Sequence, residues 1–204
     1  MQLGFIGLGH LGQAVAGRLI DQGHSLTVWN RSRAAAGKVT AEAAASPADI
    51  ARAADIIFLC LFDSKAVREV LTGEDGLLEG DISGKILIDL TTNHYRDVEG
   101  FHTMVDRAGA LYLEAPVLGS VVPASRGALT VLISGSRKGF DQARPVLEDI
   151  GQHLFFLEQP AMATKMKLIN NLVLGSFMAV IAESLGLGEK VGLSRDKVLE
   201  ILEV

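Results

Sequence analysis

Gln2-Leu3-Gly4-Phe5-Ile6-Gly7-Leu8-Gly9-His10-Leu11-Gly12 is the stretch whose reading decides the fold. Gln2 to Ile6 reads as a short buried strand. Gly7, Gly9 and Gly12 then fall at the spacing G-x-G-x-x-G. A helical pattern follows at once, with Leu11, Val15, Leu19 and Ile20 on one face and Gly23 at its end. The first glycine allows a tight turn, the second lets a pyrophosphate approach the backbone, and the third lets helix and strand pack closely. Free N–H groups at the helix start and the positive end of its dipole favour phosphate. Between a first strand and a first helix, this spacing predicts a dinucleotide-binding turn made of Gly7, Leu8, Gly9, His10, Leu11 and Gly12. His10 is read as a loop residue whose backbone lies near the phosphates.

A second strand, Ser25 to Trp29, ends at Asn30-Arg31-Ser32-Arg33. In a dinucleotide fold this is where the adenosine ribose is read. An acidic residue here would accept from the ribose 2′-OH and repel a 2′-phosphate. The chain offers an amide, guanidinium groups and a hydroxyl instead, and arginine's planar fork suits phosphate. Asn30, Arg31 and Ser32 are therefore expected to bind the cofactor, with NADP preferred and NAD possible.

Strand and helix patterns alternate through residue 160. Strands are expected near Ile56–Leu61, Ile86–Leu90, Leu111–Glu114, Thr130–Ser134 and Leu154–Leu157. Helices are expected near Pro47–Ala53, Lys65–Leu71, Tyr95–Ala108 and Arg137–Ile150, with Ser46 capping the first of them. Such alternation predicts an α/β fold: a Rossmann-type, doubly wound, mostly parallel sheet with helices on both faces. Ligands bind outside the carboxyl ends of such strands. That singles out 61–64, 89–93 and 115–120. From about Ala161 the texture becomes continuous helix, so residues 1–160 are read as the cofactor domain. Residues 161–204 are read as a long interdomain helix and the start of an all-helical second domain.

That helix carries the candidate chemistry. Lys167 and Asn171 stand four residues apart in Lys165-Met166-Lys167-Leu168-Ile169-Asn170-Asn171, which places them on one helical face. A partly desolvated lysine is a usable proton donor. The helix is apolar nearly all round, from Met166 through Phe177 to Ile181. Such a helix calls for burial on every side. The rest of a longer helical domain or a second copy is expected to cover it, giving a homodimer or homotetramer. The uncharged run Leu172–Ala182 is shorter than the roughly 20 residues a bilayer crossing needs, so no membrane partner is expected.

The 204 residues carry a net charge of −5 and no basic stripe, which argues against nucleic acid. No basic leader precedes an apolar run, so no signal peptide is read. The single cysteine, Cys60, makes no internal disulfide, and a cytoplasmic home is expected. Histidines 10, 24, 94, 102 and 153 lack ligand spacing, so no metal is expected. Asp63 and Glu114 are read as loop and strand-end residues rather than acid–base groups.

Together the motifs resemble the β-hydroxyacid dehydrogenase family. They are Gly4 to Gly12, Thr27-Val28-Trp29-Asn30-Arg31, Asp89-Leu90-Thr91-Thr92, Glu114 to Ser120 and Lys165 to Asn171. Asn30-Arg31 resembles the NADP-using glyoxylate and succinic semialdehyde reductases of that family. The resemblance implies Lys167 as catalytic general acid/base and Asn171 as its partner. It implies Thr92 beside the nicotinamide ribose and substrate, Leu61 as a cofactor contact, and Gly119 and Ser120 as the substrate-carboxylate loop. The implied reaction is hydride transfer between NADP(H) and a short semialdehyde or hydroxy acid. Two positions depart from the pattern: Leu118 stands where a serine is usual, and Ala161-Met162-Ala163 replaces a usual Gly-x-Gly. Three alternatives remain: an imine reductase-like enzyme, a 6-phosphogluconate dehydrogenase-like enzyme, or a non-catalytic NADP-binding module.

Overall fold

A computed structural model describes residues 2–32, 37 and 39–203. Arg33, one of the basic residues of the ribose loop, lies outside the described residues. In chain order the first elements are β1 (Gln2–Ile6), α1 (His10–Asp21), β2 (Ser25–Trp29), β3 (Glu42–Ala43), α2 (Pro47–Ala53) and β4 (Ile56–Leu59). Next come α3 (Ser64–Thr72), β5 (Ile86–Asp89), α4 (Tyr95–Arg107), β6 (Leu111–Glu114), β7 (Val117–Leu118) and α5 (Val121–Ser125). The rest are β8 (Leu129–Gly135), α6 (Arg137–Ile150), β9 (Gly151–Phe156), α7 (Met162–Lys190) and α8 (Arg195–Leu202).

The strands form one sheet in the order β3-β2-β1-β4-β5-β6-β8-β7, with β9 beside β8. β1 through β6 run parallel to one another. Both faces are covered, and the strands show it residue by residue. Phe5, Val28, Phe58, Ile88 and Leu113 enter one core, with Val15, Leu19 and Val146 from α1 and α6. Ile57, Leu59, Leu87 and Tyr112 enter the other, with Ile50, Val67 and Phe101 from α2, α3 and α4. Period-two alternation between two apolar layers is what a doubly wound sheet requires. This is the fold class expected from the sequence.

The departures lie at the far edge. β8 runs antiparallel to β6 and to β7, because the chain returns through the short α5 instead of a full crossover. β3, β7 and α5 are too short to leave a periodic signal. Ser46 does cap α2, accepting from the Asp49 N–H at 3.2 Å, with Pro47 in the first turn.

Two compact units divide within α7, Met1–Lys167 and Leu168–Val204. In the second, α7 runs on to Lys190, the chain turns at Gly192 (φ +91°), and Ser194 caps α8 by accepting from the Lys197 N–H. Arg195 pairs with Glu189 at 2.8 Å. Leu172, Phe177, Met178 and Val180 are exposed, so the burial their apolarity calls for is not met here. The run 172–182 is part of a 29-residue helix that, by length and composition, is long and apolar enough to cross a membrane. Asn170, Asn171 and Glu183 lie within it.

Candidate cofactor and catalytic site

Strand order reverses at β1 and β4, whose carboxyl ends open the crevice where such sheets hold ligands. Gly7 occupies that point with φ +100°, and a Cβ there would lie 2.3 Å from the Cys60 carbonyl oxygen. A Cβ on Gly12 would lie 2.0 Å from the Gly7 carbonyl oxygen. Gly7 and Gly12 are thus required by packing. Gly9 is different: a Cβ there would meet nothing within 4 Å, and Gly9 caps α1 without any side-chain hydrogen bond. The space beside Gly9 is open at the positive end of a helix dipole, which fits a dinucleotide's phosphates.

Side chains lock this turn to the ribose loop. The Leu8 N–H donates to Asn30 Oδ1 at 2.8 Å, and Asn30 Nδ2 donates to the Ser32 carbonyl at 3.0 Å. Both polar ends of Asn30 are therefore engaged in shaping the loop, while Leu8 puts its side chain into the core. His10, Arg31 and Ser32 are exposed and Leu11 is half-buried. Gln13 Nε2 donates to the Leu8 carbonyl at 2.7 Å.

The ends of β4 and β5 are clipped in the same way. The Leu61 N–H donates to Thr91 Oγ1 at 3.0 Å. Thr91 N–H and Asn93 Nδ2 donate to the fully buried Asp89 carboxylate at 2.9 and 2.7 Å, and Tyr112 OH donates to it as well. Burial raises the Asp89 carboxyl above its ordinary range, against the pull of those donors. The network holds 89–93 rigid and leaves Thr92 exposed. Sequence reasoning missed it, although an Asp-x-Thr-x-Asn run at a strand end is a turn signal in its own right. Burial, with Asp89 nearby, pushes the Cys60 thiol up to about 12, which leaves little thiolate at neutral pH.

Gly119 takes φ +118° between β7 and α5, with Leu129 and Pro123 packed beneath it. Ser120 is exposed and precedes α5, which packs against α1. Leu118 is half-buried and pairs with Thr130.

Lys167 lies in the second turn of α7. The start of that helix is pinned to the sheet by side chains. Ser134 Oγ accepts from the Ala163 N–H at 2.9 Å, and the Glu114 carboxylate accepts from the Thr164 N–H at 3.1 Å and from the Thr164 hydroxyl. Lys165 directs its ammonium over the Tyr95 ring, 5.6 Å from the centroid. Lys167 is half-buried, and burial lowers its pKa from the ordinary lysine value. Asn171 follows one turn later and is exposed within its own unit. Glu114 is thus a buried cap on the lysine-bearing helix, a role its strand-end position in the sequence does not reveal.

The family described as the NAD binding domain of 6-phosphogluconate dehydrogenase matches residues 2–158. The chain belongs to that family. Among curated relatives, the cytokine-like nuclear factor N-PAC of Mus musculus is 36% identical over 201 residues, covering 98% of this chain and 36% of the relative. The chain thus spans little more than a third of the length of the curated relatives it matches. Among solved structures, Psf3 in complex with NADP+ and 2-OPP gives a TM-score of 0.90 at 32% identity, covering 97% of this chain and 71% of that one. The 3-hydroxyisobutyrate dehydrogenase of Mycobacterium tuberculosis, with L-serine, gives 0.86 at 27% identity, covering 98% and 69%. The family and these solved neighbours make the chain an NAD(P)-binding domain of dehydrogenase fold, akin to oxidoreductases.

Proposed function

We propose that this chain carries the cofactor domain and the catalytic lysine of an NADP-dependent reductase for short semialdehydes or oxo acids, reversible toward the β-hydroxy acid. The observation that carries the reading is Lys167: a half-buried amine of lowered pKa, on a helix turn pinned to the same strand end that leads into Gly119 and Ser120. Gly7, Gly9, Gly12 and the N–H groups of His10 and Leu11 would hold the pyrophosphate. Arg31 and Ser32, with Asn30 shaping their loop, would hold the ribose 2′-phosphate. Leu61 and Thr92 would flank the nicotinamide ribose. The bound cofactor supplies hydride.

The chain's own work is positioning and proton transfer. The Gly119–Ser120 backbone and the Ser120 hydroxyl would orient the substrate carboxylate. Lys167 Nζ would donate its proton to the oxygen of the carbonyl as that oxygen gains charge, and would accept it in the reverse direction. A desolvated lysine is the better donor because its pKa lies nearer neutrality. Asn171 would hydrogen-bond to the substrate or hold the lysine rotamer. Leu118, in place of a hydroxyl, makes the pocket more apolar.

NADPH oxidation by the full-length protein with succinic semialdehyde, glyoxylate and a cyclic imine tests the proposal. Turnover of an aldehyde or oxo acid is expected. Turnover of the imine alone would overturn the substrate class. N-PAC, a nuclear factor by name, favours a second reading: a cofactor-binding module without catalysis. NADPH binding with no turnover of any of the three would favour that reading.

A further inference from the structure

Glu114 joins two parts of the proposed site. Its backbone ends β6 and leads into Ala115–Ser120, and its side chain crosses to the first turn of α7, 50 residues away in sequence, to accept from the Thr164 N–H and hydroxyl. Helix geometry places Thr164 and Lys167, three residues apart, on one face. A bond that fixes Thr164 therefore fixes the direction in which Lys167 leaves the helix. A carboxylate is a costly way to cap a helix in the interior, because burying a charge is expensive. Ser134 already supplies a neutral cap to the neighbouring Ala163 N–H. Glu114 is 1% exposed, and the Ala161 N–H beside it also favours its charged form. Its Oε1 has no hydrogen-bond partner among the described residues and faces His102 Nε2 of α4 at 4.0 Å. Tyr112 of its own strand and Asp89 of β5 are the other titratable groups near it.

We propose that Glu114 is a positioning residue, whose carboxylate, acting through Thr164, orients the helix turn that presents Lys167. The proposal rests on the reading of Lys167 as proton donor. A displacement of about 1 Å in a catalytic group can cost roughly 100-fold in rate, so a tether of this kind has kinetic consequences without touching substrate. The glycine turn that would hold the cofactor is built by β1, α1 and β2 and makes no use of Glu114. Loss of the tether is therefore expected in kcat and not in cofactor affinity.

The test uses the full-length protein and the variants Glu114→Ala, Glu114→Gln and Thr164→Val. Two properties are read: steady-state kinetics with NADPH, and the pH dependence of Lys167 acetylation by acetic anhydride, followed by mass spectrometry. Glu114→Ala and Thr164→Val are each expected to lower kcat about 10-fold or more. Their NADPH dissociation constants are expected to stay within about two-fold. Combining them should add little, as for two partners in one interaction. Glu114→Gln retains a carbonyl oxygen for both Thr164 donors and should restore most of the rate. The Lys167 acetylation profile should move in Glu114→Ala and return in Glu114→Gln. Should Glu114→Ala fail to fold, Thr164→Val and Glu114→Gln carry the same comparison.

An unchanged kcat together with an unchanged acetylation profile would overturn the proposal. So would parallel loss of NADPH binding and rate in every variant, which marks a residue that only supports the fold. A wild-type protein without turnover would count against the reductase reading alone, since the acetylation profile still decides whether Glu114 orients Lys167.

Discussion

At the scale of single residues, the glycine turn is set by close backbone contacts. Gly12 is dictated by the nearby Gly7 carbonyl, Gly7 by the Cys60 carbonyl just past β4, and Gly9 faces an empty space in front of α1. Arg31 is exposed on its loop, where the proposed 2′-phosphate contact would fall. A charge-assisted hydrogen bond is worth roughly 1.5–3 kcal/mol. Arg31→Ala should therefore raise the NADPH dissociation constant about 10- to 100-fold while leaving NADH nearly unaffected, as titration of cofactor fluorescence would show. An unaltered NADPH preference would remove Arg31 from the site.

His102 was not legible as anything but a scattered histidine. Burial against Tyr112 and Glu114 lowers its pKa from 6.5 to about 4. The folded state therefore disfavours the charged ring, while the unfolded chain takes up its proton first as pH falls. Relative to a His102→Gln variant, the fold should lose up to about 3 kcal/mol between pH 6.5 and pH 4. Asp89 and Glu114, whose pKa values are raised, act with the opposite sign and are present in both proteins. Urea unfolding at pH 7 and pH 4.5 measures the difference, and identical pH dependence in the two proteins would contradict it.

At the scale of elements, periodicity located the long strands and helices. What it could not show is which elements meet. Glu114 and Thr164 become partners only once β6 and α7 are brought together, and Asp89 and Tyr112 only once β5 and β6 pair. The start of α7 offers a local test. Ala161 is fully buried with φ +68°, a left-handed conformation that costs an alanine about 1–2 kcal/mol. Relief of that strain should offset the entropy cost of glycine, so Ala161→Gly is expected to be neutral or slightly stabilising. Ala163→Gly, inside the helix, should cost about 1 kcal/mol. Thermal unfolding of the two variants checks this, and an Ala161→Gly loss as large as that of Ala163→Gly would contradict it.

At the scale of the whole molecule, the doubly wound sheet follows from alternating elements and from strands that bury both faces. The antiparallel edge did not, because β7 and α5 are too short to carry a pattern. The apolar residues Leu172, Phe177 and Met178 are exposed on α7. We expect the full-length protein to cover them by assembling as a dimer or tetramer. Analytical ultracentrifugation at micromolar concentration would show this, and a stable monomer would contradict it.

If Lys167 is the proton donor of a reductase, its loss must be felt in turnover and not in cofactor binding. The most direct measurement compares NADPH oxidation and NADPH binding in the full-length wild type and in Lys167→Ala, with the aldehyde or oxo acid that wild type turns over. General acid catalysis contributes roughly 100- to 10,000-fold. A loss of kcat of at least that lower bound is expected, with the NADPH dissociation constant unchanged. A variant that turns over at the wild-type rate would contradict it.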